Sequence, residues 1–501
     1  MRARKRRSPA PSAASTSSSS ERVPSALDAP IDVPHLALRQ RNKTHGRGRF
    51  GLDEPCPTVT AAGMAAASIE QVALVNVEPD RGSSPPAPAT DGRPPFRLST
   101  MADVARARGT AGLTVVSTFS GCGGSCLGFE QAGYRPVYAL EFVEAARAVY
   151  ARNHPGVPID ARDVRAVRPD EVLEAAGLER GDVDVLEGSP PCASFSTAGR
   201  RAEGWGQVKA YSDTRQRTDD LFFEFARLLE GIRPRAFVAE NVYGLVKGAA
   251  FGYFEMIIAR LRECGYRVKA RLLDAQWLGV PQMRQRLIFV GVRQDLGLEP
   301  AFPEPQRFRY TIGDALPHLR SVRWDNSGVI RDKEVIDRPS PTITLSAVNG
   351  KPLAPYHFQV AGDDMGSVEP TAEELAEVEF GDELAIGREY DNVPIGGASE
   401  RYFMLKRPDP RRPMRTISQR GGNKSVASVV HPFERRKFTI RELKRLCAFP
   451  DDFELLGTYE QQWERLGRSV PPRMMFHVAR ALRDRVFAPL GRVAPGFLEA
   501  P

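Results

Sequence analysis

From residue 113 onward the chain repeats one pattern: a short apolar run, a turn, then a stretch with helical spacing. The apolar runs predict strands at 114–119, 137–140, 183–186, 236–239 and 287–292. Helical spacing predicts helices from the turn after 119 to Gly133, from the end of the second strand through Arg152, and over 219–231 and 251–264. Short apolar strands that alternate with helices predict a mostly parallel α/β sheet with flanking helices.

Past 293 the pattern dissolves. Pro, Gly, Asp and Arg interrupt short pieces and no long helix is convincing, which predicts a smaller, irregular lobe over 294–411. Helical spacing returns at 440–446 and 474–486. Residues 1–108 show faint periodicity, with a basic run at Arg2–Arg7, a Ser run at Ser17–Ser20 and a Pro-rich stretch near Pro85–Pro88. Such composition buries little, so a disordered tail is expected there. Met101, just before the patterned region, is an alternative start. The expected order is tail (1–108), α/β domain (109–293), lobe (294–411) and a C-terminal return to the α/β domain (412–490).

Composition narrows the function classes. At ~150 residues per domain, 501 residues suggest about three domains. Six cysteines exclude a disulfide-stapled scaffold. No apolar run approaches the ~18 residues that span a bilayer, which excludes an integral membrane protein. The basic N-terminus leads into Ser, Pro and Ala rather than an apolar stretch, so a cytosolic chain with reduced thiols is expected. The net charge of +8 divides into +5 over residues 1–100 and +3 over the other 401. The body is nearly neutral, so any nucleic-acid reading must rest on a site.

Four constellations carry chemistry. Phe119-Ser120-Gly121-Cys122-Gly123-Gly124 follows a predicted strand and opens a helix, where glycines let backbone N–H groups approach a ligand. Twenty residues after Gly121, Glu141 closes the second strand, the place where nucleotide-binding α/β folds engage ribose hydroxyls. This pair points to an adenosine-containing cofactor in a Rossmann-like fold, without separating NAD from S-adenosylmethionine. Cys122 and Cys126 read as packing residues, since no second cysteine pair completes a zinc site. Next, Gly188-Ser189-Pro190-Pro191-Cys192 holds a thiol on a stiff loop at a strand end, the position of a nucleophile. Glu240-Asn241-Val242 offers an acid on the same edge. Finally, alternation in Gln282-Met283-Arg284-Gln285-Arg286 puts Gln282, Arg284 and Arg286 on one face.

In combination these residues resemble the cytosine carbon-5 DNA methyltransferases. The motif order continues with Asp163 between Glu141 and Pro190, and with Arg441-Glu442-Leu443, Phe449-Pro450 and Gly467-Arg468-Ser469-Val470-Pro471-Pro472 near the C-terminus. The resemblance covers about 113–293 and 412–486. It implies S-adenosylmethionine as cofactor, held by Phe119, Gly121, Gly123, Glu141, Phe142, Asp163, Val164, Leu221, Ser469 and Val470. It implies Cys192 as the nucleophile for carbon 6 of a flipped cytosine, Glu240 as the acid at ring nitrogen 3, and Arg284 and Arg286 as phosphate or base-oxygen contacts. No metal is implied. The partner implied is double-stranded DNA, with the enzyme monomeric and of restriction–modification or phage type.

The lobe resembles a target-recognition domain, and Arg320, Arg323, Asn326, Arg331, Asn349 and Arg401 are its candidates for reading bases. Two positions depart from the family: Arg468 stands where Asn is usual, and Ala193 where Gln is frequent. Of two similar segments, Arg338–Thr344 and Arg412–Ser418, the second better matches the element that precedes the C-terminal motifs. The rival functions are an impaired homologue serving as a DNA-binding module, an RNA-directed relative, and a dinucleotide oxidoreductase. The last explains the glycine turn but not Cys192, Glu240 or the arginines.

Overall fold

The structure, a computed structural model, describes residues 94–191, 220–247, 250–321 and 370–494, together with the backbone of two short ribbons. Residues 1–93, Cys192, Asn326, Arg331, Asn349 and the segment Arg338–Thr344 lie outside the described residues, and Arg320 and Arg323 are described in backbone only.

The strands are β1 (Leu113–Thr118), β2 (Tyr134–Leu140), β3 (Ile159–Asp160), β4 (Val185–Gly188), β5 (Lys209–Tyr211), β6 (Thr214–Gln216), β7 (Ala236–Val242), β8 (Tyr266–Asp274), β9 (Gln282–Met283), β10 (Gln285–Arg293), β11 (Arg323–Asp325), β12 (Gly328–Ile330) and β13 (Met414–Arg415). The helices are α1 (Met101–Ala107), α2 (Gly124–Gln131), α3 (Glu144–Asn153), α4 (Pro169–Ala176), α5 (Leu221–Ile232), α6 (Phe251–Glu263), α7 (Ile312–Ala315), α8 (Ala372–Val378), α9 (Ala385–Tyr390), α10 (Ile440–Leu446), α11 (Tyr459–Arg468) and α12 (Pro472–Leu482). Seven strands form the central sheet in the order β3-β2-β1-β4-β7-β10-β8. Every pairing is parallel except those of β10, which runs antiparallel to both neighbours. The expected mostly parallel α/β sheet is therefore present.

Alternation along the strands sorts the core into two layers. Val116, Leu186, Phe237 and Ala239 face α4, α5 and α6. Val115, Val185, Ala236 and Val238 face the other way, toward Phe129 of α2 and Met474, Met475 and Val478 of α12. The C-terminal return is thus half of one sheet face. It fits because Gly128 has no side chain: a Cβ there would lie 2.5 Å from the Pro472 carbonyl oxygen.

The boundaries differ from the sequence expectation in two places. The tail was expected to run to 108, but Phe96 and Val104 are buried in a third cluster with Leu127, Tyr310 and Ile312. Thr100 and Asp103 form a capping box on α1, and the Met101 N–H donates to Asp452. The folded body thus includes residues 94–108. The lobe boundary at 411 also cuts a small core, because Phe380, Ile386, Tyr390, Val393 and Leu405 pack with Val430. Among the described residues no helix is long and apolar enough to cross a membrane.

Candidate active site at the strand ends

The strand β1 ends in a turn that an ordinary chain adopts reluctantly. Phe119 has φ +53°, Gly121 +56° and Gly123 +92°. Non-glycine residues rarely hold that left-handed conformation, so the turn carries backbone strain at Phe119. A Cβ on Gly121 would meet nothing within 4 Å, so the turn faces open space there. Gly123 is enclosed instead, since a Cβ would lie 2.1 Å from Nε2 of His154. Gly124, the first residue of α2, lies against the Val470 carbonyl oxygen and Ser469.

Glu141 grips this turn from β2. Its Oε2 accepts the Gly121 N–H at 2.7 Å and its Oε1 the Val143 N–H at 2.7 Å. Burial pushes its pKa up, against the pull of those two backbone bonds. Each oxygen keeps acceptor capacity for a hydroxyl. Beside it, Val164 and Leu221 are buried in the cluster on which Phe119 packs, and Phe142 is exposed at the loop after β2. Asp163 caps the turn before Val164 through the Arg165 N–H, and Arg165 bridges Asp163 to Asp220. The ten residues expected to hold the cofactor thus line the ends of β1 and β2, the turn after β3, the start of α5 and the Ser469-Val470 segment. A glycine turn open at Gly121 and a carboxylate bonded to it with acceptor capacity to spare are compatible with an adenosine-containing cofactor.

The second cluster begins on the next strand along the same edge. The strand β4 runs into Ser189-Pro190-Pro191, and the next residue, Cys192, lies outside the described residues. Asn241, buried at the end of β7, donates from Nδ2 to the Pro190 carbonyl at 3.2 Å. Its neighbour Glu240 accepts an ion pair from Arg286 Nε at 2.5 Å. That pairing follows from the antiparallel β7–β10 register, which sets Val242 opposite Arg286 and Glu240 opposite Ile288. Sequence reasoning quoted Asn241 only as part of a motif. Its clamp on the proline loop is legible in no local pattern, because the two are 51 residues apart.

Arg284 is a correction. Alternation predicted that it shares a face with Arg286, and the family resemblance implied a phosphate or base-oxygen contact. It is 1% exposed and donates to the carbonyls of Ile417, Gly467 and Arg468. The strand breaks at this residue: β9 pairs with β13, while β10 joins the main sheet, so alternation does not carry across. Burial, with Arg286 as a neighbouring like charge, pulls its pKa down to about 9. Still cationic at neutral pH, it ties two segments of the C-terminal return, at Ile417 and at Gly467-Arg468, to the catalytic edge. The unusual Arg468 turns its side chain to Glu464 (2.7 Å) and offers its carbonyl to Arg284.

Burial pushes the Cys122 and Cys447 thiols up to about 11, so these are neutral packing groups. Among the described residues, one cluster has metal-ligand chemistry: His318, His431 and Glu442. Both oxygens of Glu442 are already engaged by Arg436, and Oε2 also accepts the Thr439 N–H. A carboxylate so committed to a guanidinium is a structural knot. In the lobe, Arg401 lies 5.3 Å over the Tyr402 ring, beside Phe403, which is 74% exposed.

Comparison with known proteins agrees with this geometry. A family model described as C-5 cytosine-specific DNA methylase matches residues 113–484. The chain is 31% identical to the type II methyltransferase M.XorII of Xanthomonas oryzae pv. oryzae over 394 residues, 76% of this chain and 88% of that protein. It is 29% identical to the type II methyltransferase M1.HphI of Haemophilus parahaemolyticus over 371 residues, 74% of this chain and 86% of that protein. Among solved structures, it shares its fold with a prophage-encoded E. coli protein solved as a candidate DNA modification methyltransferase. That match has a TM-score of 0.53 at 22% identity and covers 75% of this chain and 99% of the other.

Proposed function

Since the chain belongs to the C-5 cytosine-specific DNA methylase family and is a DNA cytosine-5 methyltransferase, we propose how its own residues carry the reaction. The carrying observation is the Glu240–Arg286 pair beside Asn241, which clamps the proline loop leading into Cys192.

In this reading Cys192 is the nucleophile. Carbon 5 of cytosine is too weakly nucleophilic to attack a sulfonium. Addition of the Cys192 thiolate to carbon 6 makes the ring enamine-like, and the addition consumes the thiolate's electron pair in a new S–C bond. Once it has taken up a proton, Glu240 donates a hydrogen bond or that proton to ring nitrogen 3, where negative charge develops, and Arg286 fixes the orientation of its carboxyl. Loss of the carbon 5 proton then restores the double bond and expels the thiolate. The ring edge is out of reach in stacked duplex DNA, so the cytosine is flipped into the site.

Bound at the glycine turn, S-adenosylmethionine supplies an electrophilic methyl group on sulfur. Phe119, Phe142, Val164 and Leu221 would enclose the adenine, Glu141 the ribose hydroxyls, and Gly121, Gly123, Ser469 and Val470 the rest; Asp163 completes the set. The type II names of the relatives support a modification enzyme acting on one duplex sequence, with specificity in the lobe.

The test is methyl transfer to plasmid DNA from labelled S-adenosylmethionine, with modified bases mapped by bisulfite sequencing. Modified cytosines within one recurring sequence are expected. Cys192→Ser should abolish transfer and the trapped adduct with fluorocytosine DNA, while cofactor binding persists. Appreciable methylation by that variant would rule out the assigned nucleophile.

A further inference from the structure

One buried acid has no part in the mechanism above. Glu187 is 2% exposed, on β4 directly opposite Ser117 of β1 and five residues before Cys192. Among the described residues it has no cationic partner. Its contacts are hydroxyls and a thiol. Ser117 Oγ donates to Oε1, Ser125 Oγ donates to Oε2 at 2.8 Å, and Cys126 Sγ lies 3.7 Å from Oε1. Ser117 Oγ in turn lies 2.8 Å from Ser120 Oγ, inside the glycine turn. The Glu187 carbonyl accepts from Thr118 Oγ1 at 3.0 Å.

A buried carboxyl without a cation is costly, and an apolar residue of similar size would be the cheaper filling. What the carboxyl gains in return is reach. It touches β1 before the turn at Ser117 and α2 after the turn at Ser125, so it spans the strained segment from both sides. Its own strand continues into the Cys192 loop. We infer that Glu187 is a positioning residue, which locks the Phe119–Gly124 turn to the strand bearing the nucleophile and so sets where the cofactor's sulfur stands relative to the target base. This rests on the reading of that turn as the S-adenosylmethionine site.

The arrangement responds to pH. Burial, with Glu240 as a like charge on β7, pushes the Glu187 pKa up to about 7, against the hydrogen bonds of Ser117, Ser125 and Cys126. Of the other groups facing it, burial pushes the Cys126 thiol on α2 and the Tyr150 phenol on α3 well up, so both stay neutral. Across the turn stands Glu141, with Arg465 and Arg147 in its field. Ionised Glu187 accepts from all its donors and puts negative charge behind the turn that would hold a sulfonium-bearing cofactor; protonated Glu187 does neither fully.

The test is calorimetric binding of S-adenosylmethionine to the full chain at pH 6, 7 and 8, with KM for DNA measured in parallel. The parent should bind at least threefold more tightly at pH 8 than at pH 6. Glu187→Gln, matched in shape, should bind at least fivefold more weakly than the parent at pH 8 and lose most of the pH response, with KM for DNA within twofold. Ser125→Ala, which removes one tether at the cost of a single buried hydroxyl, should weaken binding two- to fivefold. A folded Glu187→Gln that binds as the parent does, with the same pH profile, overturns the inference. If Glu187→Gln does not fold, parental affinity in Ser125→Ala overturns it. A parent that binds no S-adenosylmethionine overturns the reading of the turn itself.

Discussion

Arg286 and Glu240 form a nearly buried pair at the reacting edge, so each is exposed to the loss of the other. Removing one partner of such a pair leaves an uncompensated charge and costs about 3–5 kcal/mol. Arg286→Gln should therefore lower the unfolding free energy by about that much and reduce kcat further than stability alone explains; thermal unfolding and steady-state kinetics check both. Glu187 makes a second prediction, on stability. Its folded pKa is raised, to about 7 against an ordinary 4.5. The folded state therefore holds this proton over a range where the unfolded chain has lost it. Stability from this group is fully present below pH 4.5 and is lost as pH rises through 7, by up to roughly 3 kcal/mol. Glu187→Gln should flatten that slope in denaturant titrations at pH 5 and pH 8. At this scale the sequence drew attention to Glu141, Glu240 and Arg286 because each sits in a motif. It misled at Arg284, where alternation was extended across a strand break, and it was silent on Glu187, whose partners Ser117 and Ser125 are 70 and 62 residues away.

Two elements meet most closely at Gly128, where α12 lies against α2. A methyl group there would sit 2.5 Å from the Pro472 oxygen and 2.7 Å from the Met475 Cβ. Gly128→Ala should destabilise the protein by about 1–3 kcal/mol through overpacking, although alanine is the better helix former. A midpoint shift at unchanged slope in a urea titration would register it, and an unchanged midpoint would mean that the helices slide apart freely. Ala448, with φ +58°, offers the opposite change. Ala448→Gly relieves a left-handed alanine and should raise the midpoint slightly. Element type was legible where strands are buried on both faces, as with β1 and β10. The edge strand β8 was not, since its Arg267, Lys269 and Arg271 dilute the apolar signal that Tyr266, Val268 and Ala270 provide by alternation. The two-residue β3 is too short to leave a pattern.

Over the whole molecule, the C-terminal end of the folded body bonds the segment that leads into β1, and the lobe reaches past its expected limit. Removal of residues 1–93 should leave activity and melting temperature essentially unchanged. Removal of 1–108 takes away Phe96, whose ring meets Tyr310 at 5.1 Å, and the buried Val104, and should cost about 3–5 kcal/mol. Exchanging the lobe for that of a related enzyme should move the methylated sequence and leave the reaction intact. The exchange must extend beyond Pro432, whose carbonyl holds Arg407, because a junction at 411 divides the small core. A folded chimaera that keeps the original target would place specificity elsewhere. Finally, the packing of α12 on α2 has a consequence in time. The Tyr134 hydroxyl waits for the Ala479 carbonyl, 345 residues later in the chain. At ~5–20 residues per second, the ribosome leaves that apolar sheet face uncovered for roughly 20–70 s. The nascent chain is therefore a natural client for chaperones. Because the Ala494 N–H already bonds the Ala111 carbonyl at 3.0 Å, a circular permutant that begins with α12 should be made with its covering helix first. It should refold faster and aggregate less than the parent.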